Sequence, residues 1–299
     1  MHKSVLLEET IRALDVHDGD TVVDCTFGAG GLSRELLSQH RGNIKLIVID
    51  QDEDALREGA AKLGREFPSL TLLEGNFGNI RALLEKQGIQ AVDRVVFDLG
   101  FSSTQLESSG RGFSFKRDEP LLMTYQTNPH DEVLTAREVV NTWDEENLEA
   151  ILRGFGEERR SKKIARAIVE ARTKKPIMSA SELATIVENA VGMRGRIHPG
   201  TKTFQALRIV VNDELSNLKK ALNDSFSLLT SSGRIAVISF HSLEDRIVKQ
   251  FIKEKVKEQT GLAITKKPLR PTQLEIKENP RSRSAKLRAV EKNYDNKNT

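Results

Sequence analysis

Short apolar runs closed by an acid, each followed by a stretch of helical spacing, set the rhythm of the first hundred residues. TVVDCT (21–26), IKLIVID (44–50), LTLLEG (70–75) and DRVVFDLG (93–100) read as strands, apolar almost throughout rather than alternating. Between them, residues 33–39, 52–67 and 80–87 carry apolar side chains at helical spacing. SVLLEETIRAL (4–14) predicts a further helix, with Ser4 positioned as its cap and Glu8 and Glu9 early in it. Strands alternating with helices predict a parallel sheet covered on both faces.

The rhythm breaks after Gln105. Residues 108–203 combine a glycine-rich stretch, SSGRGFSF, with mostly helical pattern (TAREVVN, DEENLEAILRGF, EERRSKKIARAIVEART, SASELATIVENAV) and no convincing strand. Alternation resumes with a long helix over 204–229, the strand SGRIAVISF (232–240) and the helix LEDRIVKQFIKEKVKE (243–258). Short strands are expected near 262–265 and 285–292. The fold class expected is α/β: a doubly wound sheet from residues 1–107 and 204–299, interrupted by a helical insertion over 108–203.

Composition narrows this little. With 299 residues, 38% hydrophobic and 30% charged, the chain reads as an ordinary globular protein. No apolar run approaches the roughly 20 residues that span a bilayer, so no membrane partner is expected. The opening MHKSVLLEET does not resemble a secretory signal. A single cysteine, Cys25, excludes an internal disulfide and a multi-cysteine zinc site; a cytoplasmic location and no metal are expected. Charge changes the picture more. Net charge is only +3, yet Arg153–Lys175 holds nine Lys/Arg against three Glu, and Lys266–Thr299 holds ten against four acids. Such blocks suit either a polyanion or plain solvated faces.

The candidate chemistry lies at strand ends. In VVDCTFGAGGLS (22–33), Asp24 closes an apolar run, and Gly28, Gly30 and Gly31 let a ligand approach the backbone ahead of a helix N-terminus. Asp50 and Asp98 close two further strands, where open α/β sheets bind ligands. The loop alone leaves two cofactors open. A dinucleotide fingerprint wants Gly or Ala where Ser33 stands. An S-adenosylmethionine site uses an acid several residues ahead of a shorter glycine loop, as Asp24 stands to Gly28. Asp50 suits the ribose of either, and Phe77, after the third strand, suits an adenine face. Singly, each has a bland reading: a turn cap for Asp24, solvated ends for Asp50 and Asp98, core for Phe77.

At DLGFSSTQLESSGRGFSF (98–115) the pattern becomes specific, reinforced by PGTKTFQALRIVVNDEL (199–215), GRIAVISFHSLEDRIVK (233–249), NPRSRSAKLR (279–288) and HKSVLLEE (2–9). Together these resemble the bacterial small-subunit rRNA cytosine-N4 methyltransferase family, RsmH/MraW, over nearly the whole chain. The resemblance implies a Rossmann-like methyltransferase domain with an inserted, mainly helical substrate domain. It implies S-adenosyl-L-methionine as cofactor, and methylation of the exocyclic amine of a P-site cytidine in 16S rRNA within the small ribosomal subunit. The family's cofactor positions carry over onto Gly30, Gly31, Leu32, Asp50, Phe77, Asp98 and Gln105. The chain departs from the family at Leu32, where histidine is usual. It departs again at DEPLLMTYQ (118–126), where Leu122, Thr124 and Gln126 replace two aspartates and an arginine.

Methyl transfer to a cytosine amine needs alignment, a dry pocket and an acceptor near the N–H groups. Asp98 is the leading acceptor, helped by the carbonyls of Leu99 or Gly100. Phe101 is the candidate to stack on the target base, as in the acid-x-x-aromatic motif of DNA amino-methyltransferases. His241, in FHSLEDR, is read as a proton relay or RNA contact, or else as part of a cap region in which Ser242 caps the helix and Glu244 and Asp245 favour its dipole. For RNA the candidates are Arg159, Arg160, Lys162 and Lys163 on the insertion and Arg281, Arg283, Lys286 and Arg288 near the end. Two other classes stay open: a non-catalytic ribosome-assembly binder that keeps the fold, and a DNA amino-methyltransferase.

Overall fold

A computed structural model describes residues 4–64, 66–67, 70–100, 109–127, 133–192 and 198–293. The chain divides into two compact units, residues 1–101 with 215–299, and residues 102–214.

The first unit begins with helix α1 (Leu7–Leu14) and then alternates: β1 (Thr21–Asp24), α2 (Gly31–Gln39), β2 (Lys45–Asp50), α3 (Glu53–Leu63), β3 (Leu70–Glu74), α4 (Ile80–Lys86) and β4 (Val92–Asp98). Its seven-stranded sheet has the order β3-β2-β1-β4-β5-β7-β6, where β5 is Leu229–Ser239, β6 Gly261–Ala263 and β7 Lys286–Lys292. The first five strands run parallel; β7 is antiparallel to both its neighbours. This is the mixed α/β, doubly wound class expected from the sequence.

Successive residues of each central strand feed opposite faces, because side chains alternate across a sheet. Val23, Ile47, Ile49, Val95, Phe97, Ile235 and Val237 join one core cluster. Val22, Leu46, Val48, Val96, Ala236 and Ile238 join the other. Helix α4 packs on the first face through Ile80 and Leu84, and α2 on the second through Leu36 and Leu37. Burial on both sides explains why these strands read as apolar runs rather than alternating ones.

Strand order reverses between β1 and β4, since β2 and β3 extend the sheet one way and β5 the other. A crevice forms at such a switch point beyond the carboxyl ends of the strands. Asp24 and Asp98 are the last residues of the two strands that flank it.

The second unit is helical: α5 (Ala136–Thr142), α6 (Glu145–Gly154), α7 (Ser161–Arg172), α8 (Ala180–Val191) and α9 (Gly200–Val211). Thr135, Asp144 and Ser179 cap three of these through their side chains, as sequence spacing suggests. Leu148, Ile164, Ile168, Leu183 and Leu207 are buried in its core. Two boundaries differ from expectation. The helix read as continuous over 204–229 is two: α9 ends at Val211, and α10 (Glu214–Leu228) begins after a break at Asn212 and Asp213. Asp213 takes φ 46°, a left-handed conformation that no helix continues through. The compact unit that holds the insertion spans residues 102–214, where 108–203 was expected.

Candidate functional site

The glycine loop is shaped by what packs behind it. Gly30 has φ 71°, and a Cβ there would lie 2.8 Å from the Phe27 ring. At Gly31 a Cβ would meet Ser4 Oγ, which would have to turn away, so the firm requirement for glycine is at Gly30. No side chain caps α2 at Gly30, which leaves the first N–H groups of that helix available to a ligand. Leu32 is 7% exposed and sits in the core beside Leu36 and Leu37. It offers the loop only its backbone, which explains how leucine is accommodated there.

Three carboxylates close the strands around the loop. Asp24 is buried; its Oδ2 accepts from Ser33 Oγ at 2.7 Å and its Oδ1 from the Thr26 N–H at 3.1 Å. It ties β1 to α2, and burial holds its carboxyl above the usual range. Asp50 Oδ2 accepts from the Gly28 N–H at 2.8 Å and its Oδ1 from the Asp52 N–H at 2.9 Å. Burial pushes Asp50 up to about 6. Phe77 occupies a 3₁₀ turn after β3 and meets Phe97 edge-on at 5.7 Å between ring centroids.

Asp98 differs from the other two. Its N–H donates to Thr26 Oγ1 at 2.6 Å, which locks the β4 terminus to the residue after Cys25. Its Oδ1 is buried with no hydrogen-bond partner among the described residues. Burial first, then the charges of Asp24 and Glu244, push this carboxyl up to about 8. An unpartnered buried carboxyl oxygen is costly, and it is the kind of feature a ligand resolves.

Just beyond β5 lies helix α11 (Ser242–Lys257). His241, not Ser242, is its N-cap: the imidazole accepts from the Glu244 N–H at 3.4 Å, and Glu244 Oε2 accepts from the His241 N–H at 3.2 Å and the Phe240 N–H at 2.8 Å. With Nδ1 as acceptor, Nε2 carries the proton in the neutral ring. Nε2 lies 3.1 Å from Glu244 Oε1 as an ion-pair contact, and it is buried with no hydrogen-bond partner among the described residues. Sequence reading missed Glu244 as a site residue. It is 3% exposed and close enough to Asp98 to raise it. The signal for it in the sequence is the N-cap-x-x-Glu spacing from His241 to Glu244, which a helix-dipole argument does not use.

The basic candidates separate into two groups. Arg159, Lys162 and Lys163 are exposed around the start of α7, and Arg281 and Arg283 are exposed on a 3₁₀ turn over Pro280–Ser284. Three others are structural. Arg160 Nη1 donates to the Val191 carbonyl at 2.6 Å and closes the end of α8. Lys286 Nζ and Arg288 Nε donate to the two carboxylate oxygens of Asp245 at 2.8 and 2.7 Å. Arg288 is 8% exposed, so its charge is spent inside the fold rather than offered to phosphate. Phe101 and Gln105 lie outside the described residues.

The uncharged stretch Leu122–Gln126 is firmly held. Asn212 accepts from the Tyr125 N–H at 2.9 Å and donates to the Met123 carbonyl at 2.8 Å. The Tyr125 hydroxyl donates to Glu214 at 2.9 Å, and its ring stacks on Phe113. Hydrogen bonds and stacking hold the stretch, which has no charged side chain of its own.

The first unit's site thus offers a backbone cradle, acids at strand ends, an aromatic ring and a buried carboxyl without a partner. That set fits a nucleoside cofactor carrying a positive centre. A family model described as the MraW methylase family matches residues 1–293. The ribosomal RNA small subunit methyltransferase H of Rhodospirillum rubrum is 44% identical over 313 residues, covering 97% of this chain and 94% of that protein. The protein of the same name from Clostridium botulinum strain Kyoto is 44% identical over 310 residues, covering 97% and 98%. Among solved structures, a SAM-dependent O-methyltransferase from Thermotoga maritima aligns over 98% of this chain and 68% of that chain, at 10% identity and a TM-score of 0.44.

Proposed function

This chain belongs to the MraW methylase family, and from that premise we propose that it transfers a methyl group from S-adenosyl-L-methionine to the N4 amine of a cytidine in small-subunit 16S rRNA. The two relatives that align over 97% of the chain carry the name of small-subunit rRNA methyltransferases. The single observation that carries the reading is the unpartnered Oδ1 of Asp98 at the switch point. As for the small-subunit rRNA methyltransferases it is similar to, its substrate would place it in the cytoplasm, on the small ribosomal subunit.

The site's geometry and the family resemblance support the following roles. Gly30, Gly31 and the backbone of Leu32 take the cofactor's anionic end at the N-terminus of α2. Asp50 holds the ribose, and the ring of Phe77 packs against adenine. By family resemblance Gln105 would complete the cofactor contacts, and Phe101 would stack on the target base as the aromatic of the acid-x-x-aromatic motif does in DNA amino-methyltransferases. When bound, S-adenosylmethionine supplies a methyl group on a cationic sulfur, leaving as the neutral thioether when the new N–C bond forms. Asp98, at the end of β4, would stand near that positive centre, and a cation beside a carboxyl favours its ionised form. As a carboxylate Asp98 accepts a hydrogen bond from the N4 amine, letting nitrogen pyramidalise and shed its proton. Asp98 itself takes that proton, and His241, whose Nδ1 is held by the Glu244 N–H, would act as an RNA contact rather than as the base. Arg159, Lys162, Lys163, Arg281 and Arg283 hold RNA phosphates.

Purified protein incubated with small-subunit rRNA and methyl-labelled cofactor tests this reading. Label recovered as N4-methylcytidine is the expected result. Label in another nucleoside, or none, rejects it.

A further inference from the structure

The inserted unit carries an aromatic pair that no catalytic role uses. Phe115 and His198 stack face to face, with ring centroids 4.3 Å apart and planes 16° from parallel. Phe204, 5% exposed, supports Phe115 edge-on at 5.4 Å. Both stacked rings remain partly exposed. The imidazole is pinned in orientation because its Nδ1 accepts the Gly200 N–H at 3.0 Å, just ahead of α9. A ring pair fixed in advance and partly open to solvent loses little freedom when a third ring joins the stack. Lys116 and Arg117 follow Phe115 directly and are exposed. Arg117 faces Glu119 only at 4.0 Å, and Lys116 has no ion-pair partner among the described residues. Flat rings flanked by cations match an unpaired nucleotide: stacking takes the base, and the cations take its phosphates.

We propose that Phe115 and His198 form a base-stacking platform for an unpaired nucleotide of the RNA substrate. The inference rests on the rRNA reading above and adds a second nucleotide contact, distinct from the methylated base. The platform selects single-stranded over duplex RNA, because paired bases hide their faces. It does so without choosing a sequence, since every base has a face to stack.

His198 also serves the backbone of Gly200, and two substitutions in the full chain separate the roles. His198→Asn keeps a side-chain acceptor near the Gly200 N–H but removes the ring. His198→Tyr keeps a ring but removes the acceptor. Binding of a short single-stranded RNA and of a duplex of equal length is measured by fluorescence anisotropy over a salt series, with thermal melts to confirm folding. His198→Asn is expected to weaken single-strand binding about tenfold, while His198→Tyr stays within about twofold of the parent chain. Duplex binding and the salt slope stay unchanged in both, because stacking releases no counterions. Retention in His198→Asn with loss in His198→Tyr assigns the residue to the helix start and overturns the platform. Equal effects in the two variants, or none, overturn it as well. If the parent chain binds RNA in any of these cases, the rRNA reading stands while the platform falls. If the parent chain binds no RNA at all, both fall together.

Discussion

Asp98 concentrates the chemistry of the site in one side chain. Burial and two neighbouring acids raise its carboxyl to about 8, so in the free protein it is mostly neutral at pH 7. A cationic cofactor favours the carboxylate, so its binding expels a proton. Affinity for S-adenosylmethionine is therefore expected to rise as pH rises towards about 8 and then level off. S-Adenosylhomocysteine, with a neutral sulfur, should show a much flatter profile in the same titration calorimetry. Parallel profiles for the two would contradict the assignment. The same raised carboxyl acts on stability: its contribution is full below about 4 and is lost as pH rises through about 8. Asp98→Asn, permanently neutral, should melt higher than the parent chain by a margin that grows over that range, while losing methyl transfer. Asp24, Asp50 and Asp98 were legible because each closes an apolar strand. Glu244 was not, because its burial depends on the turn after β5, where the His241 cap folds it inward.

Elements explain which charges are available. Lys286 and Arg288 fall in a basic run and read as RNA contacts, yet they lie on a strand whose pairing brings them to Asp245. Arg281 and Arg283, a few residues earlier, stand on an exposed 3₁₀ turn. Charge counting cannot separate these cases; strand register can. Arg283→Ala is expected to lower the salt slope of RNA binding by about one unit and weaken affinity evenly across sequences. Lys286→Met should leave that slope unchanged and lower the melting temperature instead. A reduced slope in Lys286→Met would return that residue to the RNA surface. Helix starts at Thr135, Asp144 and Ser179 followed ordinary capping chemistry and were readable. The break between α9 and α10 was not, since Asn212 and Asp213 interrupt an otherwise unbroken helical pattern without proline or glycine.

For the whole molecule, strand-by-strand alternation made the doubly wound sheet legible, and the loss of that alternation after Gln105 marked the second unit. The far boundary slipped because a helical pattern runs across it, and periodicity alone does not reveal where one helix hands over to the next. At this scale the property to measure is methylation of the small ribosomal subunit. Mass spectrometry of nucleosides from small-subunit rRNA addresses it most directly, comparing cells that lack the gene with the same cells carrying the parent chain or Asp98→Asn. N4-methylcytidine should disappear on deletion, return with the parent chain and stay absent with Asp98→Asn. An unchanged level of N4-methylcytidine in the deletion strain would contradict the account.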